Sequence, residues 1–207
     1  LIPLFKGDFE VAKLTIQNGF VGIEQYENLS LQNIFSDVKG KIIIKDSALK
    51  IANGNYGIEK LFSAKKLTVK KANNVINLDG SLASKNNDYK VSYKNNWQEG
   101  IAGQHYLKIT SRQNELVITS DNDFTEGLAG DITLKGEDLS GFVYYYIYHD
   151  KGAIPNQSNS SFSAKAKLLI NSDGLSLQEG EVDSEVLSGM FSLASQKQSN
   201  KHVMDIK

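Results

Sequence analysis

The sequence predicts an all-β protein, an antiparallel sheet built from successive hairpins with at most one or two short helices. Apolar residues recur with period two over most of the 207 residues, which places alternate side chains on one face of a strand. The alternating stretches are short and end in Asn, Asp, Gly and Ser, the residues of tight turns. With 40% hydrophobic and 23% charged residues there is also enough apolar material for a core, and the composition is not that of a disordered chain.

The elements follow in order. Leu14-Thr15-Ile16 and Val21-Gly22-Ile23 flank Gln17-Asn18-Gly19-Phe20. Ile42-Ile43-Ile44 and Leu49-Lys50-Ile51 flank Lys45-Asp46-Ser47-Ala48, and Leu168-Leu169-Ile170 and Leu175-Ser176-Leu177 flank Asn171-Ser172-Asp173-Gly174. In each copy the apolar residues nearest the centre are five positions apart: Ile16 and Val21, Ile44 and Leu49, Ile170 and Leu175. An odd separation across a short turn returns both strands with apolar side chains on one face, so each copy is expected to be a hairpin. Two looser hairpins join Leu67-Thr68-Val69 to Ile76-Asn77-Leu78 and Leu107-Lys108-Ile109 to Leu116-Val117-Ile118.

Further strands are expected at Ile132-Thr133-Leu134 and along 142–148, where Phe142, Tyr144, Tyr146 and Tyr148 share one face. Ile58, Leu61, Phe62 and Lys65 have helical spacing and predict a short helix over 57–65. Around Val182 to Leu193 a helix can be drawn, but Glu179, Glu181, Asp183 and Glu185 alternate with smaller residues, so strand is expected there. The polar stretch 151–161 is a loop and a weak candidate boundary in what otherwise reads as a single β domain over 1–207.

Chemistry is sparse in the sequence. Cysteine is absent, which removes disulfides, zinc-thiolate sites and thiol nucleophiles. His105, His149 and His202 have no metal spacing among them. No nucleophile elbow or phosphate-binding glycine loop occurs, and 121–127 fails as a calcium loop because position twelve is Ile132. The acids Glu179 to Glu185 are first a solvated strand face. No catalytic residue, cofactor or metal is expected, and the chain is read as a non-enzyme.

Charge is uneven: residues 1–100 carry 14 Lys against 10 acids, while residues 101–207 carry 9 basic residues against 14 acids. Arg112 is the single arginine, so bidentate phosphate or guanine contacts are confined to one position and no nucleic-acid partner is expected. The lysines cluster at Lys39, Lys41, Lys45 and Lys50 and at Lys65, Lys66, Lys70 and Lys71. They suit anionic head groups as point charges, or they keep strand edges soluble. The longest apolar runs, such as Ile42-Ile43-Ile44, are far short of the roughly 20 residues of a membrane-spanning helix. The chain opens on Leu1 without an initiator Met or a basic-then-apolar leader, which reads as a piece of a longer protein.

LTIQNGFVGI, IIIKDSALKI, INLDGSL and FSAKAKLLINSDGLSLQEGEVDSEVLSGMFSLAS resemble the recurring unit of the AsmA family of bacterial envelope proteins, in which an alternating strand turns at a Gly and a second strand leads to a Gly-containing stretch. The resemblance covers about two thirds of the chain. It implies an elongated, curved antiparallel sheet with an apolar concave side, in the bacterial periplasm, tethered to the inner membrane by a segment outside this chain. It also implies a role in guiding phospholipid toward the outer membrane, with phospholipid or another acyl lipid as partner and other envelope proteins as further partners. The groove candidates are Leu14, Ile16, Val21, Ile23, Ile42, Ile44, Leu49, Ile51, Leu168, Ile170, Leu175 and Leu177. The same residues suit the closed core of a sandwich. In that alternative the protein is a binding or adhesion module presenting Trp97, Tyr144, Tyr145, Tyr146 and Tyr148 to a glycan or protein.

Overall fold

The structure, a computed structural model, describes residues 13–25, 40–53, 58–73, 75–84, 87–98, 101–121, 128–139, 142, 160–171, 174–198 and 201–206. Nearly all of these lie in 13 strands, so the all-β expectation holds. The chain forms two units, Leu1–Gly100 and Ile101–Lys207, the first with 14 Lys against 10 acids and the second with 9 basic residues against 14 acids. Residues 151–159 of the expected loop lie outside the described residues.

The first unit contains β1 (Lys13–Gln17), β2 (Phe20–Gln25), β3 (Gly40–Asn53), β4 (Ile58–Ala72), β5 (Val75–Ala83) and β6 (Asp88–Gln98). Strands β3 to β6 pair antiparallel in sequence order. Both β1 and β2 lie along β3, and both run parallel to it. The second unit contains β7 (Ile101–Ser111), β8 (Asn114–Ser120), β9 (Leu128–Gly136), β10 (Phe162–Asn171), β11 (Gly174–Ser184), β12 (Ser188–Gln198) and β13 (Lys201–Ile206). Each pairs antiparallel with the next, in an open sheet.

Three of the five expected hairpins are present: β10/β11 closes on Asn171↔Gly174, β4/β5 on Ala72↔Val75 and β7/β8 on Ser111↔Asn114. The left-handed φ needed in a tight turn is supplied in the last two by Asn73 (52°) and Arg112 (53°). The first two copies are not hairpins. Ile42 to Ile51 lies within β3, and β1 and β2 are successive stretches of one chain direction that keep the same register on it, Ile16↔Ile44 and Val21↔Leu49.

The physical reason is a second solution to the parity problem. One residue with left-handed φ in a continuous strand shifts the alternation by one position, so apolar residues five apart again share a face. Asn18 (φ 53°) in the β1–β2 break and Asp46 (φ 46°) in β3 are such residues. They lie beside each other between the pairs Gln17↔Lys45 and Phe20↔Ala48. Hydrogen bonding continues through the irregularity. The Asn18 N–H donates to the Lys45 carbonyl at 3.2 Å and the Ala48 N–H to the Gly19 carbonyl at 2.9 Å. Buried Ser47 completes it, its Oγ accepting from the Gly19 N–H at 3.1 Å and donating to the Lys45 carbonyl at 2.6 Å.

The expected helix over 57–65 is also overturned, because these residues belong to β4 from Ile58 onward. Register with β5 slips by one residue at Lys65, between Ala64↔Leu82 and Lys66↔Ser81. The slip brings Phe62, Ala64 and Leu67 to one face, and the extra residue is what imitated helical spacing. Around 182–193 strand is found, as β11 and β12. Phe142 does not open a strand: it is helical, its N–H donating to the Asp138 carbonyl at 3.0 Å. Residues 143–148 lie outside the described residues.

Glu179 (φ 51°) repeats the parity device in β11, where register with both neighbours shifts. Beside it the Phe191 ring lies over Gly180, so close that a Cβ there would stand 2.7 Å from the ring. Phe162 covers Gly136 in the same way across β9 and β10.

Left-handed φ costs a β-branched residue roughly 1–2 kcal/mol and glycine almost nothing. Exposed Asp46 therefore provides a direct test of the bulge. Asp46→Val is expected to lower the unfolding free energy in urea by about 1–2 kcal/mol, while Asp46→Gly leaves it near the parent value.

Candidate functional site

In the first unit the groove candidates do assemble. Register sets Leu14 beside Ile42, Ile16 beside Ile44, Val21 beside Leu49 and Ile23 beside Ile51. The described side chains of Ile16, Val21, Ile42, Ile44 and Leu49 belong to one apolar cluster with Phe62, Ala64, Leu67, Leu78, Leu82, Tyr89 and Val91. Its centre is dry: Leu49 is 2% exposed and Ala64 is 0%. Phe62 meets Tyr89 edge to face, with ring centroids 6.1 Å apart. This half of the expected groove has a packed centre at Ile44 and Leu49, with Ile16, Val21 and Ile42 partly buried around it and Leu14 exposed. The side chains of Ile23 and Ile51 lie outside the described residues.

Tyr93 and Asn95 continue the same face of β6 in buried positions. Asn95 Nδ2 donates to the Tyr93 hydroxyl at 3.3 Å. Burial holds the Tyr93 phenol above its ordinary pKa of 10.0, and the Asn95 hydrogen bond pulls it back in part.

The second unit is different. Register joins Ile109, Leu116, Leu134, Ala164, Val182 and Gly189 into one row across six strands. A parallel row begins Leu107, Ile118, Ile132 and Ala166, and resumes beyond the Glu179 bulge as Gly180 and Phe191. At about 4.8 Å per strand the first row is about 24 Å long. Of these side chains only Ala166 is buried; the leucines, isoleucines, Val182 and Phe191 are all partly open to solvent. Ala164 and Ala166 lower the floor between the bulkier residues of β9 and β11. The remaining groove candidates lie beside these rows as the pairs Leu168↔Leu177 and Ile170↔Leu175. Leu168 is buried and the other three are half-exposed.

The other face of the second unit carries charges of both signs, several of them set against each other. Lys108 Nζ lies 2.6 Å from Glu115, Lys167 Nζ 2.6 Å from Asp131, and Lys165 faces Glu181 in register. The carboxylate hydrogen bond raises the pKa of both Lys108 and Lys167. The four acids of 179–185 do not form a single row: Glu179 is the bulge residue, Glu181 and Asp183 face Lys165 and Ser163 in register, and Glu185 lies beyond the strand. A shallow recess of about 560 Å³ on this face is lined by Thr119, Asp121, Asp131, Lys167, Leu169 and Gln178 among others.

His105 is buried in β7, opposite Ser120. The side chain of His202, like His149 as a whole, lies outside the described residues, and so do the side chain of Trp97 and Tyr144 to Tyr148 of the adhesion alternative. No three His, Asp or Glu side chains among the described residues converge as metal ligands.

Leu107, Ile109, Leu116, Ile118, Ile132 and Leu134 form much of the open face yet are missing from the groove candidates, which were drawn from the three copies alone. Their period-two spacing carried the signal. Comparison with protein-family models, with curated proteins and with solved structures finds no match to this chain.

The two apolar faces should respond differently to charge. Leu49→Asp is expected to abolish the cooperative unfolding of the first unit, because a buried carboxylate has no partner there. Leu177→Asp should leave the far-ultraviolet circular dichroism and thermal transition of the chain largely intact. Equal loss of structure in both variants would contradict the difference in burial.

Proposed function

We propose that this chain is a non-catalytic segment of a bacterial envelope protein that holds lipid acyl chains on the apolar face of its second unit, in the manner implied by its resemblance to the AsmA family. The observation that carries the reading is the pair of half-exposed apolar rows across β7 to β12, with no charged side chain among them. Partly exposed aliphatic rows of this length are costly in water. An acyl chain laid along them gains roughly 0.8 kcal/mol per methylene buried. Head groups stay at the rim in water, and movement along the face needs neither nucleophile nor cofactor.

Native mass spectrometry with lipid extraction tests this directly. Protein purified from a bacterial host should carry phospholipid. The paired substitution Ile118→Asp and Leu134→Asp, placed in neighbouring rows, should remove it while the circular dichroism is retained. A lipid-free wild-type protein that also takes up none from vesicles would refute the proposal.

A further inference from the structure

Register gathers Lys41 and Lys45 of one lysine cluster and Lys66 and Lys70 of the other onto a single surface, the polar face of the first unit. Lys13 stands beside Lys41, and Lys41 beside Lys70, on three adjacent strands. The row continues through Asn77 to Lys94. A second row runs from Lys45 to Lys66 and through Ser81 to Lys90. Four residues separate the rows on each of β3, β4 and β6, a distance of about 13 Å. Between the rows Asp79 accepts a hydrogen bond from Ser92 Oγ at 2.7 Å, and at their margin Asp88, two residues before Lys90 on β6, pairs with Lys65 at 3.2 Å. Among the described residues no ion pair involves these seven lysines.

Edge protection does not explain the pattern, since β3 and β4 are interior strands of the sheet. Like charges set directly opposite each other destabilise a sheet, yet three adjacent pairs are kept here. The second unit shows the ordinary solution, lysine against carboxylate. Glu115, Asp131 and Glu181 on the polar face of that unit already have lysine neighbours in contact or in register, so a second copy of the chain is a poorer counterpart for the lysines than an anionic lipid surface. A strand of nucleic acid would be met by a single track with aromatic platforms, whereas this surface is two-dimensional and its intervening residues are Thr15, Ile43, Thr68, Asn77 and Ser81.

We propose that the polar face of the first unit docks on the surface of an anionic lipid bilayer, the lysines meeting phosphate head groups as point charges. This does not depend on the acyl-chain reading. Binding through the lysines is sensitive to salt and head group, while acyl-chain uptake by the second unit is indifferent to both.

Flotation of the whole chain with vesicles decides the matter. Binding is expected to vesicles of phosphatidylcholine mixed with phosphatidylglycerol and not to phosphatidylcholine alone. It should be lost near ~1 M salt, where the screening length falls to about 3 Å. The combined variant K41Q/K45Q/K66Q/K70Q should bind about fivefold more weakly for each lysine removed, with its thermal transition unchanged or raised. Arginine at the same four positions should restore binding, and Lys135→Gln with Lys165→Gln should have no effect. Equal binding to neutral vesicles, full binding by the glutamine variant, or capture of single-stranded DNA in preference to anionic vesicles would overturn the proposal. Self-association at low salt that excludes vesicles would do the same.

Discussion

Everything in this fold depends on keeping apolar side chains on one face of strands that are longer than perfect alternation allows. A strand of period two loses its face whenever one residue is added. The chain absorbs such additions at Asn18, Asp46 and Glu179, each with left-handed φ, and at Lys65 by a slip against β5. Bulged strands bend and twist more strongly than regular ones. Asn18 and Asp46 are neighbours, so the irregularity crosses two strands together and the ladder survives, sealed by the Ser47 hydroxyl.

With the faces preserved, side-chain volume decides how each is used. The first unit sets Ile44, Leu49 and Leu67 around Ala64 and closes to water. The second puts Ala164, Ala166, Gly180 and Gly189 into rows otherwise made of leucine, isoleucine, valine and phenylalanine, and the large side chains there remain partly exposed. The polar faces differ as well. One carries its charges as Lys–Glu and Lys–Asp pairs, the other as lysine opposite lysine. A partly open apolar face and a basic one that sets lysine opposite lysine are both features that stability alone disfavours, and functional surfaces are where such local conflicts are tolerated.

Much of this was legible in the residues. The β10/β11 hairpin could be read down to the pair Ile170↔Leu175, because a Gly after Asp at the centre of an alternating run demands a tight turn. IIIKDSALKI has the same parity and similar turn residues, but it is one bulged strand. Asp and Asn tolerate left-handed φ in either setting, so these local residues do not choose between reversal and bulge. The helical spacing of Ile58, Leu61, Phe62 and Lys65 misled for the same reason, since one extra strand residue converts a step of two into a step of three. The groove candidates of the second unit share their face with a further set of apolar residues, in the looser hairpin and the strand after it, Leu107 to Leu134, which are partly exposed like Ile170, Leu175 and Leu177.

By itself the sequence determined that the chain makes strands with one apolar and one polar side, because the backbone pleat turns residue spacing directly into facing. Tertiary structure alone decided that β1 and β2 run parallel to β3, that Ile44 and Leu49 are sealed while Leu175 and Leu177 stay half open, and that lysines far apart in the chain share one surface. Strand direction, burial and cross-strand charge all depend on which segments become neighbours. Periodicity within a segment carries no information about its neighbour.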